Sequence, residues 1–271
     1  MDVSTLLSPD EASYFQTIIG MVRWMVELGR IYIAVKVSQL SSFLAMPSQG
    51  HLVNALHIMS YLKIKHKSRL VLDTSYPGID MSEFKSNKNW APFYGDVQEA
   101  KPLNSPKPFG KEFNLRMIVE SDHAGDKSGR CSRTGFMIFM NMAMINWHTK
   151  KQATVEDAIF GAEFVAMKQG VEVLKGIIFK LQMMGVKIDG PTYVYGDNMS
   201  VIHKTSKPES VLKKNSNSIY YNFVREAVAM REFMNTPVPT ARKWADLLTK
   251  VLFGKKRREL VQGILFEIYD Y

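Results

Sequence analysis

Hydrophobic positions recur at helical spacing in the first part of the chain. Residues 9–29 follow the helix-start sequence Ser8-Pro9-Asp10-Glu11 and place apolar side chains three and four positions apart. Residues 31–44 and 51–64 repeat this spacing on either side of the helix breaker Met46-Pro47-Ser48-Gln49-Gly50. The pattern predicts a small all-helical unit at the start of the chain.

After residue 110, apolar runs of strand length alternate with longer helical patterns. Strands are predicted at residues 115–121, 135–140, 144–147, 192–195 and 233–238. Helices are predicted at residues 155–185, as one long helix or two successive ones, and at 201–204, 219–231 and 244–269. Because three consecutive strands precede the strand–helix crossovers, this order predicts an α/β fold with a mixed five-stranded sheet flanked by helices.

The stretch between these two patterns has little periodicity. Pro77-Gly78, Pro102, Pro106 and Pro108 interrupt it, which is typical of a linker. The predicted division is a helical segment at residues 1–70, a linker at 71–111, the α/β domain at 112–252 and a C-terminal helical tail at 253–271.

Composition and charge narrow the class of protein. The 271 residues are 46% hydrophobic and 23% charged, which is enough for a core and excludes a mainly disordered or fibrous chain. The single cysteine, Cys131, and the scattered histidines exclude a disulfide scaffold and a zinc finger. Polar residues interrupt the longest uncharged stretch, 37–62, so we expect no membrane span. Because one cysteine cannot form an internal disulfide, we expect an intracellular, reducing location. The net charge of +9 modestly favours a polyanionic partner.

Four carboxylates stand at the ends of predicted strands or on predicted helices. Asp122 and Asp197 follow strands, Glu163 lies on an apolar helix face, and Asp246 stands among apolar residues near a helix start. Each has a structural alternative. Asp122 could be a turn residue, Asp197 an N-cap, Glu163 a glutamate that reaches solvent, and Asp246 a partner of the helix dipole. Asp126, further into the turn, is a weaker candidate. If the four converge at one edge of the sheet, they form a site for hard cations such as Mg²⁺ or Mn²⁺. Two such ions about 4 Å apart support phosphodiester hydrolysis.

Five ordered motifs within residues 115–252 resemble the ribonuclease H domain at the C-terminal end of Ty1/copia-type retrotransposon polyproteins. The motifs are Ser121-Asp122-His123-Ala124-Gly125-Asp126, Ser132-Arg133-Thr134-Gly135-Phe136, Phe160-Gly161-Ala162-Glu163-Phe164-Val165-Ala166-Met167, Tyr195-Gly196-Asp197-Asn198 and Ala245-Asp246-Leu247-Leu248-Thr249-Lys250. The N-terminal segment is similar to the part that follows the polymerase palm in the same polyproteins. Its matching runs are Tyr14-Phe15-Gln16-Thr17-Ile18-Ile19-Gly20, Val37-Ser38-Gln39-Leu40-Ser41 and Tyr61-Leu62-Lys63.

This resemblance implies an RNase H-like fold and endonucleolytic hydrolysis of the RNA strand of an RNA–DNA hybrid. The cofactor implied is a pair of Mg²⁺ ions, with Mn²⁺ as an alternative. The resemblance assigns catalytic and metal-ligating roles to Asp122, Glu163, Asp197 and Asp246. Asp122 would bridge both ions, Glu163 and Asp197 would complete the leaving-group side, and Asp246 would complete the side that activates water.

The candidates for nucleic-acid contact are Arg133, Thr134, Lys150, Lys151 and Asn198. Such groups hold the DNA strand through its phosphates, and RNA is distinguished by its 2′-hydroxyl groups. For the two lysines, a solvated strand end is the alternative. The basic clusters at residues 63–69 and 255–258 extend this track or form solvated faces.

The resemblance also bears on the context in which the chain works. The chain lacks the adjacent Asp-Asp pair of a reverse transcriptase catalytic strand, so we expect no polymerase activity. We expect a C-terminal fragment of a longer polyprotein, whose partner is the upstream reverse transcriptase portion, in a cytoplasmic retroelement particle or in the nucleus. The alternative is a catalytically decayed remnant that only binds nucleic acid. A transposase or integrase is disfavoured, because those enzymes typically use three acids ending in glutamate, whereas a fourth acid, Asp246, is present here.

Overall fold

The computed structural model of the protein has nine α-helices and nine strands within its described residues. Those residues are 3–84, 88–99, 101–126, 129–212, 218–239, 242–252, 254–262 and 266–267. The helices are α1 (Pro9–Glu27), α2 (Ala34–Leu40), α3 (Gln49–Ile64), α4 (Ala91–Tyr94), α5 (Ile159–Met183), α6 (Met199–Ser206), α7 (Ser218–Ala229), α8 (Asp246–Thr249) and α9 (Gly254–Gln262). The strands are β1 (Arg69–Leu70), β2 (Phe109–Phe113), β3 (Leu115–Ser121), β4 (Arg133–Met140), β5 (Ala143–Lys151), β6 (Val186–Ile188), β7 (Thr192–Gly196), β8 (Phe233–Pro237) and β9 (Phe266–Glu267).

Helices α1, α2 and α3 form the N-terminal unit that the apolar spacing predicts. α1 begins with a capping box, in which Ser8 and Glu11 each accept a hydrogen bond from the other's backbone N–H. Short 3-10 turns at residues 31–33 and 41–43 flank α2, so the helical pattern over 31–44 is an interrupted helix. No helix in the described ranges is long and apolar enough to cross a membrane.

Five strands form a mixed sheet in the order β5-β4-β3-β7-β8, which confirms the predicted fold class. β4 is antiparallel to β3 and β5, whereas β7 is parallel to both β3 and β8. Val119 of β3 lies opposite Gly196 of β7. Because these two strands run in the same direction, their carboxyl ends meet at one edge of the sheet, and the residues that follow them are neighbours.

Helices cover both faces of the sheet. Met117 and Val119 of β3 pack in a core with Phe164 of α5 and residues of α7. Ile118, which lies between them in sequence, packs in a second core on the opposite face with the N-terminal unit and Leu248 of α8. The N-terminal unit is therefore packed against the sheet.

The segment predicted to be a linker contributes buried side chains. Phe84 is 6% exposed, and its ring centroid is 4.7 Å from that of Tyr193. Trp90 is also buried, and the guanidinium of Arg225 lies 4.9 Å from its ring centroid. Residues 71–111 thus pack on the α/β domain along part of their length, while the predicted division of the chain into four parts stays a prediction.

Two short strand pairs were not predicted from the sequence. β2 pairs in parallel with β6, and β1 pairs in antiparallel fashion with β9. The second pair changes the prediction for the tail, because residues 266–267 are a strand and the helix α9 ends at Gln262. The other residues of the tail after Gln262 lie outside the described part of the chain.

Candidate active site

Glu163 lies near the start of α5 and reaches the end of β3. Its side chain is buried, and Oε2 accepts a hydrogen bond from the backbone N–H of Ser121 at a distance of 3.0 Å. Burial raises the pKa of Glu163 to about 8, the hydrogen bond from Ser121 opposes this shift, and the negative charge of Asp197 adds to it. Glu163 is therefore within electrostatic reach of the residue that follows β7.

Asp197 directly follows β7 and remains partly exposed. Its Oδ1 lies 2.5 Å from Nζ of Lys243, and this hydrogen bond raises the pKa of Lys243. The N-cap of α6 is the next residue, Asn198, whose Oδ1 accepts hydrogen bonds from the backbone N–H groups of Ser200 and Val201. Asn198, and not Asp197, is therefore the N-cap of α6, and the Asp197 carboxylate pairs with Lys243.

Asp246 is the first residue of α8 and is 2% exposed. Its Oδ1 lies 2.7 Å from Nζ of Lys250, and its Oδ2 lies 3.2 Å from Nζ of Lys256. Burial would raise the pKa of Asp246, but hydrogen bonds with Glu120, Lys250 and Lys256 outweigh it, so the pKa is lowered. Asp246 is therefore a buried carboxylate that keeps its negative charge.

Glu120 is a buried acid of the site that the sequence interpretation missed. It is 3% exposed and lies on the same face of β3 as Ile118. Its carboxyl group shares a hydrogen bond with Asp246 and contacts the ammonium group of Lys250. Burial and the neighbouring Asp246 raise the pKa of Glu120 to about 9, so it is protonated at neutral pH. The sequence signal was a glutamate that directly follows the apolar run 117–119, two positions from the core residue Ile118, where a carboxylate requires a partner.

Asp122 directly follows the end of β3, in the connection that leads to β4. It accepts a hydrogen bond from the backbone N–H of Arg133, and a Cβ atom at Gly125 would collide with its carboxylate. Burial raises the pKa of Asp122, while Arg133 and Lys250 oppose this shift. Asp122 thus performs the turn role that its sequence position allows, and it also lies within electrostatic reach of Lys250.

The five residues Glu120, Asp122, Glu163, Asp197 and Asp246 form what we call the acidic cluster. Carboxylate oxygens are the ligands that Mg²⁺ and Mn²⁺ prefer, so the donor chemistry of the cluster fits a hard divalent cation. In the structure the balancing positive charge comes from lysine ammonium groups. Among the residues that the structure describes, no three Asp, Glu, His or Cys side chains are grouped to hold one ion. A metal-bound arrangement therefore requires these carboxylates to turn away from the lysines.

The five residues predicted to contact nucleic acid differ in exposure. Lys150 and Lys151 at the end of β5 are exposed, and Lys151 pairs with Asp126 at 3.2 Å. Arg133 is buried and donates a hydrogen bond to the Ser38 hydroxyl of α2. Thr134 is fully buried, where its hydroxyl accepts a hydrogen bond from Gln152, and Asn198 caps α6. In this structure only the two lysines present charged groups to solvent.

A Glu163→Gln substitution is expected to change how stability depends on pH in metal-free buffer. The folded pKa of Glu163, about 8, lies above the ordinary value of 4.5, so its contribution to stability is fully present below pH 4.5 and is lost as the pH rises through 8. Glutamine does not titrate, so the variant should gain stability relative to wild type between pH 5 and pH 8. The gain approaches about 1.4 kcal/mol per pH unit at most.

Thermal unfolding with a chelator present, followed by circular dichroism at several pH values, measures this difference. Glu172→Gln on the same helix is the control, because Glu172 is an exposed partner of Lys168 and its variant should follow the wild-type pH profile. A difference between Glu163→Gln and wild type that does not vary with pH would contradict the buried, protonated state.

Comparison with known proteins relates the chain to transposon polyproteins. It is 24% identical over 238 residues to the retrovirus-related Pol polyprotein from transposon RE1 of Arabidopsis thaliana, a match that covers 88% of this chain and 14% of that protein. It is 26% identical over 143 residues to the corresponding polyprotein from transposon TNT 1-94 of Nicotiana tabacum, which covers 53% of this chain and 11% of that protein. The chain thus spans a small part of the relatives it matches. No model of a known protein family matches it.

Solved structures with a similar chain course include two RNase H proteins. LC11-RNase H1 in complex with an RNA/DNA hybrid is 13% identical, with a TM-score of 0.40, over 50% of this chain and 94% of that chain. The N-terminal RNase H domain of a Mycobacterium tuberculosis protein is 14% identical, with a TM-score of 0.39, over 55% of this chain and 99% of that chain. The chain is a homologue of the retrovirus-related Pol polyproteins of copia-type transposons.

Proposed function

We propose that the protein hydrolyses the RNA strand of RNA–DNA hybrids endonucleolytically in a Mg²⁺-dependent reaction. The observation that carries this proposal is the acidic cluster, whose members come from the ends of β3 and β7 and from α5 and α8. Four of them, all except Asp197, lie within electrostatic reach of the single ammonium group of Lys250, and Asp197 neighbours Glu163. The homology to Pol polyproteins supports a reaction of the ribonuclease H type.

Two Mg²⁺ ions, or Mn²⁺ in their place, would be held by Glu163, Asp197, Asp246 and one carboxylate from the first strand of the sheet. When bound, such ions stabilise charge on the phosphate and lower the pKa of the attacking water. The first-strand carboxylate is Asp122 by resemblance, whereas the contacts in the structure favour Glu120. Glu120 touches Asp246 directly, while one oxygen of Asp122 is occupied by the backbone N–H of Arg133.

The chain's own groups keep the cluster stable before metal and substrate arrive. Glu120 holds a proton that it shares with Asp246, which reduces the negative charge that a phosphate would meet. Lys243 neutralises Asp197, and Lys250 neutralises Asp246. Because the side chains of both lysines are partly exposed, they can leave these carboxylates without rearrangement of the core.

A second candidate function, nucleic-acid binding without catalysis, is favoured by one specific observation. Lysine ammonium groups contact Glu120, Asp197 and Asp246, and no group of three acids within the described ranges is placed to hold a metal ion. The two functions are separated by incubating a labelled hybrid with the protein, with and without Mg²⁺. Cleavage that needs Mg²⁺ supports the enzyme, whereas salt-dependent binding with no cleavage at any protein concentration supports the remnant.

Replacing Lys150 and Lys151 together by Ala is expected to weaken hybrid binding and its dependence on salt. Each lysine that neutralises a phosphate contributes roughly one unit to the slope of log Kd against log salt concentration, so the slope should fall by about 1 to 2. Fluorescence anisotropy with a labelled hybrid in chelator measures this slope. The control replaces Lys101 and Lys107, two exposed lysines of residues 71–111, and should leave the slope unchanged. Equal slopes for both double variants would contradict a role for the end of β5.

The homology also suggests the setting in which this reaction takes place. We propose that the chain acts as part of a Pol polyprotein together with its upstream reverse transcriptase portion, inside the cell. A retroelement particle in the cytoplasm and the nucleus are the two sites that fit this role. Division of the chain near residue 110, between the helical unit with its linker and the α/β domain, belongs to the same proposal.

A further inference from the structure

A pocket of about 510 Å³ lies between the N-terminal unit and the α/β domain, directly beside Asp122. The N-terminal unit contributes one wall, and the turn after β3 with the start of β4 contributes the other. The two walls are held together by the hydrogen bond from Arg133 to Ser38 and by the core that α1 and α2 share with the sheet. The pocket therefore lies between two parts of the fold that pack on each other.

Aromatic rings line the wall formed by the N-terminal unit. Tyr32 and Tyr61 meet edge to face with ring centroids 5.6 Å apart. Phe43, at the end of the second 3-10 turn, is 36% exposed although it stacks on His51. Such rings provide faces on which any nucleobase can stack, and stacking of this kind does not depend on sequence.

The charge of the pocket favours an anionic ligand. Lys36 and Arg257 both line it, and neither forms an ion pair with the residues that the structure describes. The Arg257 guanidinium lies 4.9 Å from the ring centroid of Tyr61, which holds a cation beside an aromatic face. The lining contains four basic residues, Lys36, Arg133, Lys151 and Arg257, against two acids, Asp122 and Asp126. The net charge of the lining residues is therefore positive.

The size of the pocket selects the form of the ligand. Its volume falls in the range of about 300 to 1,000 Å³ that is typical of small-molecule sites, which fits a nucleotide and is far too small for a double helix. Asn54 and His57 on α3 add polar groups that can hydrogen-bond the edge of a base. Aromatic rings, a positively charged lining and this volume together describe a site for one unpaired nucleotide.

We propose that this pocket binds an unpaired nucleotide of a single strand that adjoins the duplex at the acidic cluster. The base stacks against Phe43 and Tyr61, and the phosphates interact with Lys36 and Arg257. The proposal rests on the proposed function, because it takes the duplex at the acidic cluster to be a nucleic acid. It adds to that function a preference for hybrids that carry a single-stranded extension.

Binding of two hybrids in chelator tests the proposal, one blunt and one with a single-stranded extension that carries 2-aminopurine. The extension should tighten binding about 10-fold and quench the 2-aminopurine fluorescence, as expected for one stacked base. Phe43→Ala should abolish both effects and leave binding of the blunt hybrid unchanged. The matched control is Phe93→Ala, which removes an exposed aromatic residue of α4 outside the pocket and should keep both effects.

Lys36→Glu provides a second variant that leaves the aromatic wall intact, and it should also remove the advantage of the extension. Equal affinity of the wild-type protein for both hybrids, or equal behaviour of Phe43→Ala and Phe93→Ala, would overturn the pocket assignment. Cleavage of the blunt hybrid with Mg²⁺ is measured in parallel. Cleavage without any effect of the extension rejects the pocket alone, whereas an effect of the extension without cleavage rejects the nuclease and retains the pocket.

Discussion

An Asp197→Asn variant is expected to cleave the RNA strand of a hybrid at least about 100-fold more slowly than wild type while binding the hybrid normally. The substitution removes one negative charge from the acidic cluster without changing the size of the side chain. Because Asp197 is partly exposed and pairs only with Lys243 among the described residues, the fold does not depend on it. Cleavage rates with Mg²⁺ and anisotropy in chelator measure the two properties separately.

Asp189→Asn is the matched control for this variant. Asp189 also follows a strand, β6, but its carboxylate accepts a hydrogen bond from Tyr76 and lies outside the acidic cluster. This control should cleave at the wild-type rate. Wild-type cleavage by Asp197→Asn would show that the carboxylates at the ends of β3 and β7 do not act together.

The second prediction concerns the cleavage rates of variants at Glu120 and Asp122, the two candidate carboxylates that follow Val119. Glu120→Gln is expected to lose at least about 100-fold in cleavage rate, whereas Asp122→Asn is expected to lose about 10-fold or less. Glutamine imitates the protonated Glu120 of the metal-free protein and can still donate to Asp246, so the variant should fold normally. It cannot supply the negative charge that a metal ligand needs.

Asp122→Asn is the variant with which Glu120→Gln is compared. Its side-chain oxygen can still accept the hydrogen bond from the backbone N–H of Arg133, so the turn before β4 is preserved. Both variants are compared in cleavage assays and by calorimetric titration with Mn²⁺, which reports metal binding independently of turnover. The reverse order, with Asp122→Asn inactive and Glu120→Gln active, would assign the first-strand role to Asp122, as the family resemblance does.

The sequence predicts most of the architecture because apolar spacing records which faces are buried. The stripe Phe15, Ile18, Ile19 and Val22 predicts α1, and all four side chains are buried against the rest of the protein. The apolar run of β3 likewise predicts a strand that is covered on both faces. By contrast, β1 and β9 are two residues each and pair across most of the chain, so local periodicity contains no sign of them.

The candidate site is less accessible to sequence interpretation because its contacts join distant elements. The sequence places Glu163, Asp197 and Asp246 on the correct kinds of elements, but the contact of Glu120 with Asp246 depends on the packing of α8 beside β3, which the sequence does not show. The prediction that Arg133 contacts nucleic acid treats it as a surface residue. The structure instead buries Arg133 beneath α2, because the N-terminal unit packs on the sheet at that point.

The most direct test of the central claim uses a hybrid whose RNA and DNA strands carry different fluorescent labels. With the wild-type protein, addition of Mg²⁺ should shorten the RNA strand at internal positions, leave the DNA strand intact, and leave products with 5′-phosphate and 3′-hydroxyl ends. Absence of cleavage at any protein concentration, or equal cleavage of both strands, would contradict the assignment of the acidic cluster as a hybrid-specific ribonuclease site.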